Sequence, residues 1–287
     1  MSRIAARMQA LASAGRKAVV PYIVAGDPWP EVTVPALHAL VAAGADIIEL
    51  GVPFSDPMAE GPAIQIGHER ALQRHTSLRD VLAMVAEFRQ GDANTPIVLM
   101  GYANPIEVMG ADAFAAAAAS AGVDGVLTVD LPPEEAEPLN KALKQHHIDC
   151  IFLIAPTTSE TRAKQILDMA TGYVYYVSLK GVTGAGHLDA SAVAEQLAAL
   201  KQQTSLPVCV GFGIKDADSA RRVARSADGV VVGSVLVDAM GQCAGMANRD
   251  DGAFNRDLAA GERAKIAQDI HQRLGQILAD IDAGANT

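Results

Sequence analysis

The chain has 287 residues, half of them hydrophobic but only 4% aromatic, and its formal net charge is −10. A core of Ala, Val, Ile and Leu suits a large α/β domain, and the acidic balance argues against nucleic acid, because phosphate backbones require a basic protein surface. A small anionic substrate remains compatible with this charge, since backbone N–H groups can bind phosphate by themselves.

The cysteine spacing and the hydropathy of the chain indicate no metal site, no disulfide framework and no membrane-spanning segment. Cys150, Cys209 and Cys243 form neither a C-x-x-C pair nor a Cys/His cluster, and the first two fall beside or within apolar runs as buried residues do. No apolar stretch is long enough to cross a membrane, and residues 1–17 lack the hydrophobic region of a signal peptide. We therefore expect a cytoplasmic protein without a metal.

Helices and strands are predicted to alternate along the whole chain. An amphipathic helix at residues 2–14 comes first, with Ile4, Met8 and Leu11 on one face. Strands are predicted at 18–24, 47–50, 96–100, 125–129, 150–154, 173–177, 208–210 and 229–232. Helices are predicted at 30–43, 62–74, 77–90, 111–121, 132–145, 159–169, 190–201, 217–226 and 264–282, and residues 240–261 are read as a loop.

Eight β-then-α units in a chain of this length favour a closed (β/α)8 TIM barrel, preceded by an extra helix, over an open doubly wound sheet. The strands are nearly continuous apolar runs, as expected when both faces of a parallel sheet are buried. No linker composition interrupts the pattern, so residues 1–287 are predicted to form a single domain. In such barrels the chemistry takes place in the loops after the strands.

Glycine-rich loops follow the last three predicted strands, at residues 181–186, 211–214 and 233–234. Glycines let the backbone approach an anion closely, and the hydroxyl of Ser234, at the start of a possible short helix, can add a donor. One such loop alone is as well explained by a tight turn. Three on neighbouring strands predict a phosphate site.

Carboxylates follow several strands, and Glu49 is the strongest candidate for chemistry. Its apolar neighbours Ile48 and Leu50 place it on a barrel strand, where burial would raise its pKa and suit it to proton transfer. The alternative is an ordinary strand-end acid in an ion pair. Glu60 lies in the following Pro/Gly loop, and Asp27, before Pro28, is typical of turn chemistry.

Three tyrosines, Tyr22, Tyr102 and Tyr175, lie on or at the ends of strands and could line a pocket for a flat aromatic group, although core packing is the alternative. The seven histidines fall in or beside predicted helices or, for His187, after the sixth strand's loop. None lies at a strand end, so a mechanism centred on histidine is disfavoured.

The order of these motifs resembles the α subunit of tryptophan synthase. The matching segments are Pro21-Tyr22, Gly26-Asp27-Pro28, the E-L-G-V-P-F-S-D-P run at 49–57, Tyr102–Pro105, Asp130-Leu131-Pro132, the G-V-T-G run at 181–184, the G-F-G-I run at 211–214, and Gly233-Ser234. They span nearly the whole chain. The resemblance implies a lyase that cleaves indole-3-glycerol phosphate to indole and glyceraldehyde 3-phosphate in tryptophan biosynthesis.

The resemblance also implies roles for individual residues. Glu49 would be the main acid–base group, and Glu60, where most relatives have Asp, would act at the indole N–H. Thr183 would belong to a closing loop, and Tyr175 would position the substrate. The other implied contacts are Tyr22 (Phe in many relatives), Met100, Tyr102, Leu127, Val129, Leu153 and Phe212 for the substrate, and Gly184, Gly213, Gly233 and Ser234 for its phosphate.

A partner follows from the same resemblance. The β subunit, which uses pyridoxal phosphate and receives indole through a tunnel, would form an α2β2 tetramer with this chain, which itself would need no cofactor. Asp56, Pro57 and Asn104 would lie on the contact side. The alternatives are a lyase that works alone and a non-catalytic barrel, which Glu60 in place of Asp would support. A different phosphate-sugar enzyme such as an isomerase lacks the His or Lys expected near the acid.

Overall fold

Eight parallel strands close into a barrel in chain order in the computed structural model, which describes residues 2–177, 190–211, 213–245 and 260–287. The strands are β1 Ala18–Val24, β2 Ile48–Gly51, β3 Ile97–Gly101, β4 Gly125–Thr128, β5 Asp149–Ile154, β6 Val174–Val177, β7 Val208–Gly211 and β8 Gly229–Val232. β8 pairs with β1 and completes the ring. The predicted TIM barrel is confirmed.

Helices surround the barrel and cover its outer face. They are α1 Arg3–Ser13, α2 Pro30–Ala42, α3 Pro62–Gln73, α4 Leu78–Gly91, α5 Ala103–Met109, α6 Ala111–Ala121, α7 Glu137–Gln145, α8 Glu160–Met169, α9 Ala190–Lys201, α10 Ala217–Ala224, α11 Ser234–Cys243 and α12 Ala260–Ala285. Within the part of the chain that is described, none is long and apolar enough to cross a membrane.

Alternation along each strand divides the core into two layers. Outward side chains such as Val19, Ile23 and Leu50 pack under the helices. Inward side chains such as Val20, Val98 and Leu127 fill the barrel, together with Ile4, Met8 and Leu11 of α1. The predicted apolar face of α1 therefore closes the N-terminal end of the barrel, and the C-terminal end remains open for a site.

Two predicted segments differ from the structure. The helix predicted at 132–145 begins only at Glu137, after two turns that contain Pro132 and Pro133. α5 was not predicted, because its first turn contains Asn104-Pro105, which reads as a loop. Of the predicted loop 240–261, the first residues continue α11 and the last two begin α12. Residues 246–259 of that loop lie outside the described residues.

Candidate active site

A cavity of ≈ 190 Å³ opens at the C-terminal ends of the strands, where barrel enzymes carry out their chemistry. Residues from all eight strands or the loops that follow them meet there. It is lined by Tyr22, Glu49, Ala59, Glu60, Gly61, Ile64, Met100, Val129, Leu153, Tyr175, Val177, Gly213, Ile214, Val231, Gly233 and Ser234. The cavity thus brings together the two predicted catalytic carboxylates and much of the predicted phosphate and substrate sites.

Glu49 lies on β2 with its side chain inside the barrel and has no exposed surface. The hydroxyl of Tyr173 donates a hydrogen bond of 2.5 Å to Oε1, whereas Oε2 is buried without a hydrogen-bond partner. Loss of hydration on burial raises the pKa of Glu49 to about 8, against the smaller lowering effect of the Tyr173 bond. The carboxyl group is therefore able to hold a proton at neutral pH.

Glu60 approaches the same cavity from the loop between β2 and α3. Its backbone N–H donates to the Pro57 carbonyl at 3.0 Å, and its own carbonyl accepts from Nε2 of Gln65 at 2.9 Å. Burial raises the pKa of Glu60 to about 7, and its charge also contributes to the raised pKa of Glu49. Among the residues the structure describes, neither carboxylate forms an ion pair with Lys or Arg.

Tyr22 and Tyr175 form two walls of the cavity, as the sequence predicts. Strand register places Tyr22 beside Glu49. Tyr175 lies on β6 and points into the barrel like Tyr173, two residues before it. A Cβ atom on Gly211 would lie 1.8 Å from the Tyr175 hydroxyl, so only glycine leaves room for this ring. Met100, Val129 and Leu153 add apolar surface, which suits a flat aromatic ligand.

Tyr102 and Leu127 do not line the cavity, although both were predicted to contact the substrate. The Tyr102 hydroxyl accepts a hydrogen bond from Ala59 N at 3.2 Å, and its ring stacks on Phe54 with centroids 4.8 Å apart. Tyr102 thereby supports the loop that carries Glu60. Leu127 is fully buried in the layer of side chains that fills the barrel beneath the cavity.

Three of the four predicted phosphate residues, Gly213, Gly233 and Ser234, line the cavity. Gly213 has a φ of +78°, a conformation that favours glycine, and Gly233 immediately precedes α11, whose first residue is Ser234. The free N–H groups of a helix N-terminus and its positive dipole end favour an anion there. Thr183, Gly184 and Phe212 lie outside the described residues.

Two contacts at the site were missed from the sequence. The sequence predicts for Tyr173 only the start of a strand, yet its hydroxyl is the hydrogen-bond donor to Glu49. The sequence places His68 on a helix and indicates no role for it, yet it is buried and its Nε2 lies 3.3 Å from the Tyr22 hydroxyl. Period-2 alternation from Tyr175 points to Tyr173, whereas nothing in the sequence indicates the direction of His68.

The sequence predicts turn chemistry for Asp27, and its N–H does close a turn by donating to the Val24 carbonyl at 3.3 Å, but its carboxylate bonds outside the turn. Its carboxylate is fully buried and accepts two hydrogen bonds from Arg70 of α3, at 2.5 and 2.7 Å. Arg70 also donates to the carbonyl of Val237 in α11 at 3.3 Å. This bidentate ion pair joins the loop after β1 to α3 and α11 beside the cavity.

Asp56, Pro57 and Asn104, predicted to face a partner, lie on the loop after β2 and on α5. Asp56 and Asn104 are exposed, and Pro57 is half-buried. Nearby in the chain, Met58 and Val108 are 80% and 84% exposed. No other large hydrophobic residue in the described part of the chain is comparably exposed.

Comparison with known proteins gives a consistent result. A family model described as tryptophan synthase alpha chain matches residues 8–267. Among curated relatives, the tryptophan synthase alpha chain of Thioalkalivibrio sulfidiphilus is 67% identical over 238 residues, or 83% of this chain and 90% of the relative. That of Marinobacter nauticus is 61% identical, with 83% and 88% covered.

Solved structures agree. The crystal structure of tryptophan synthase subunit alpha from Legionella pneumophila is 42% identical, with a TM-score of 0.86 and coverage of 99% of this chain and 98% of that one. The aminoacrylate-bound form of tryptophan synthase from M. tuberculosis is 32% identical, with a TM-score of 0.82 and both chains fully covered at 100%. Tryptophan synthase alpha chains are lyases that cleave indole-3-glycerol phosphate to indole and glyceraldehyde 3-phosphate in tryptophan biosynthesis, and this chain belongs to that family.

Proposed function

We propose that Glu49 and Glu60 carry out the cleavage of indole-3-glycerol phosphate in this chain, with Glu49 as the main acid–base group. The main support for this assignment is the environment of the Glu49 carboxyl group. It is fully buried, its Oε2 has no hydrogen-bond partner, and no cation among the described residues neutralises it. A carboxyl in this setting can hold a proton at neutral pH and deliver it to a bound substrate.

Glu49 alone can both donate the proton that the reaction needs and accept the proton that it releases. Protonated Glu49 gives its proton to C3 of the indole ring, which makes the ring an iminium-like electron sink. The resulting carboxylate then takes the proton of the adjacent glycerol hydroxyl. The bond between C3 and the glycerol carbon breaks, its electron pair returns to the ring, and the hydroxyl oxygen becomes the aldehyde carbonyl. Glu49 ends protonated, as it began.

Glu60 stabilises the positive charge that the indole ring carries in the intermediate, by accepting from the indole N–H. Glu49 is fully buried whereas Glu60 is partly exposed, so burial opposes ionisation of Glu60 less than that of Glu49. Two carboxyl groups whose environments separate their pKa values are suited to different roles. A negative charge opposite the ring nitrogen is what the iminium-like state requires.

The substrate is placed by contacts at both of its ends. Gly213, Gly233 and Ser234, with Gly184 of the preceding loop, bind the phosphate through backbone N–H groups and the positive end of α11. Tyr22, Met100, Tyr175 and Phe212 hold the indole ring. Tyr102 and Leu127 act behind this layer, and Thr183 belongs to the loop that closes over the ligand.

The chain works as a single domain in the cytoplasm, in an α2β2 complex with a β subunit. Support comes from the two exposed hydrophobic residues Met58 and Val108, which belong to the same segments as Asp56, Pro57 and Asn104. Exposed apolar side chains beside polar ones are typical of a docking surface. The β subunit carries pyridoxal phosphate and consumes the indole, and this chain needs no cofactor of its own.

An assay of indole release by the purified chain tests the assignment. Glu49→Gln keeps the shape and the Tyr173 hydrogen bond but cannot exchange a proton. We expect turnover to fall by at least about 10³-fold, while a phosphate ligand such as glycerol 3-phosphate binds as in the wild type. Near-normal turnover of this variant would remove Glu49 from the acid–base role.

The same assay with and without β subunit separates the remaining alternatives. A large activation by the β subunit supports the complex, whereas equal rates indicate a lyase that works alone. If the purified chain releases no indole in either condition, a non-catalytic barrel would account for the exposed Met58 and Val108. Glu49→Gln in the complex then shows whether the measured rate belongs to this chain.

A further inference from the structure

His68 joins two parts of the cavity wall that come from different segments. It lies in the second turn of α3 and is buried. Its Nε2 is 3.3 Å from the hydroxyl of Tyr22 on β1, and its Nδ1 accepts from the backbone N–H of Phe54 at 3.1 Å. Phe54 lies near the start of the loop that carries Glu60, so the imidazole ring bridges this loop to the barrel.

The two contacts define the chemical state of His68. Because the Phe54 N–H donates to Nδ1, that nitrogen carries no proton. Burial lowers the pKa of His68 to about 4, so the ring is neutral in the working range and its single proton is on Nε2. Nε2–H therefore donates to the Tyr22 oxygen. The phenol receives a hydrogen bond from behind the cavity wall.

We propose that His68 is a positioning residue for the cleavage reaction. Its two hydrogen bonds hold the ring of Tyr22 and the start of the Glu60 loop in a fixed position relative to each other. This inference rests on the proposed function, because Tyr22 and Glu60 are assigned there to the indole ring. His68 itself lies behind the cavity wall and acts through these two neighbours.

Packing around Tyr22 shows that its ring occupies a closely fitted place. A Cβ atom on Gly51 would lie 2.3 Å from the phenol oxygen, and one on Gly233 would lie 3.2 Å from the ring. The ring thus lies between two glycines at the ends of β2 and β8. Such a fit fixes its plane, and the hydroxyl beyond it reaches a buried position where only His68 offers a hydrogen bond among the described residues.

The link matters for chemistry because Tyr22 lies close to both carboxylates. Its backbone is in register with Glu49, and the pKa of its phenol is raised by burial and, to a smaller extent, by the charges of Glu60 and Glu49. A shift of this ring or of the loop would change the distance from the indole slot to Glu60. Small displacements of reacting groups lower turnover by up to about 10²-fold.

Two conservative substitutions separate the two hydrogen bonds. In His68→Asn, the amide oxygen can replace Nδ1 and keep the Phe54 bond, but the side chain is too short to reach Tyr22. In His68→Gln, the amide nitrogen can replace Nε2 and keep the Tyr22 bond, but the acceptor for Phe54 is lost. Tyr22→Phe removes the phenol oxygen alone.

The experiment measures kcat and KM for indole-3-glycerol phosphate in these variants, together with Tm and the binding of glycerol 3-phosphate. We expect His68→Asn and Tyr22→Phe each to lower kcat/KM by about three- to tenfold, and the double variant to be no worse than either single one. His68→Gln should lower kcat by about tenfold with KM nearly unchanged, because Glu60 is less well placed. Glycerol 3-phosphate should bind equally to all variants.

Other outcomes would overturn the inference. If the effects of His68→Asn and Tyr22→Phe multiply in the double variant, the two side chains act independently. If the His68 variants lower only Tm, the residue is structural. His38→Asn is the matched control, because His38 is a half-buried histidine on α2 whose ring packs on Phe88, and its activity should not change. A fully active Glu49→Gln would instead contradict the proposed function, whatever His68 does.

Discussion

The two ends of the barrel hold carboxylates in opposite settings. At the N-terminal end, three aspartates precede β2, β4 and β8, and each accepts the backbone N–H of the first or second residue of the strand before it. The pairs are Asp46 with Val19 at 3.0 Å, Asp124 with Ile97 at 2.9 Å and Asp228 with Val208 at 2.9 Å. At the C-terminal end, Glu49 and Glu60 face the cavity.

Cations pair with the carboxylates at the N-terminal end, whereas among the described residues none pairs with Glu49 or Glu60. At the C-terminal end, the ion pair of Asp27 with Arg70 lies beside the cavity. Asp124 forms ion pairs with Arg3 at 2.7 Å and Arg89 at 2.6 Å, and Asp228 forms one with Lys201 at 2.7 Å. Asp46 has Arg7 at 3.9 Å. In the described residues, Glu49 and Glu60 have no such partner, and their pKa values are raised to about 8 and about 7.

The difference shows that one type of side chain, the carboxylate, stabilises the fold in one setting and supplies chemistry in the other. A carboxylate that is matched by cations and backbone N–H groups links neighbouring strands and holds them in register. A carboxylate buried without a cation is costly when ionised, and it therefore exchanges protons near neutral pH. The N-terminal end uses the first arrangement before β2, β4 and β8. Before β6 the Thr171 hydroxyl takes the place of the carboxylate and accepts from Cys150 N at 2.8 Å. The cavity at the C-terminal end uses the second.

Asp124→Ala should produce the largest loss of stability in this comparison. It leaves the Ile97 N–H without its acceptor and two arginines without their shared carboxylate, so we expect a loss of about 4 kcal/mol in the free energy of unfolding. Indole release per folded molecule should stay near the wild-type value. Urea unfolding and activity at low temperature measure the two quantities.

Asp218→Ala is the matched control, because Asp218 forms an exposed ion pair with Arg221 at 2.6 Å within one helix. Such pairs contribute little, so its stability should change by less than about 0.5 kcal/mol. If Asp124→Ala lowered kcat of the folded protein strongly, the separation between the two ends of the barrel would be wrong.

The raised pKa of Glu49 predicts a specific dependence of stability on pH. The folded protein holds this proton up to about pH 8, whereas the unfolded chain releases it near the ordinary value of 4.5. The contribution of Glu49 to stability is therefore fully present below pH 4.5 and is lost as the pH rises toward 8. Glu49→Gln cannot lose a proton, so it should gain stability relative to the wild type by about 2 kcal/mol or more between pH 5 and pH 8.5.

Urea unfolding of both proteins at pH 5 and pH 8.5 measures this difference. Glu135→Gln, at an exposed position, controls for the removal of one negative charge from an acidic protein. A stability difference between wild type and Glu49→Gln that is independent of pH would show that Glu49 is ionised in the folded protein. The acid form proposed for the first step would then be missing at neutral pH.

Much of the fold could be predicted from the sequence, because parallel strands buried on both faces are apolar runs separated by helical patterns. The inward direction of Glu49 also follows from its place in such a run. Boundaries were less accurate where prolines obscure a helix, as at α5, whose first turn contains Pro105.

Contacts between distant segments could not be predicted in the same way. Tyr173 and Glu49 are 124 residues apart and meet only because β2 and β6 face each other across the barrel. His68 lies on a helix whose orientation is set by packing, including the Arg70 and Asp27 ion pair one half-turn away. Alternation and helical periodicity give the face of an element, but the partner of that face depends on closure of the barrel.

Variants of Glu60 test the same comparison of carboxylates, because Glu60 lies on a loop whereas Glu49 lies on a strand of the barrel. The backbone of Glu60 is held by hydrogen bonds to the Pro57 carbonyl and from the Gln65 amide, and Glu60 lines the cavity. Glu60→Asp shortens that side chain by one methylene and keeps the charge. We expect kcat/KM to fall by less than about tenfold, since the loop can move by a fraction of an ångström.

Glu60→Ala removes the charge from the same backbone position and should lose most of the activity, by about 10²-fold or more. Both variants keep the Tyr102 contact with Ala59, so the loop itself is preserved. Steady-state indole release at saturating and limiting substrate measures both. Because the iminium-like state needs a negative charge near the ring nitrogen, chain length should matter less than charge. Full activity of Glu60→Ala would remove Glu60 from the site and leave Glu49 as the single reactive carboxylate of the barrel.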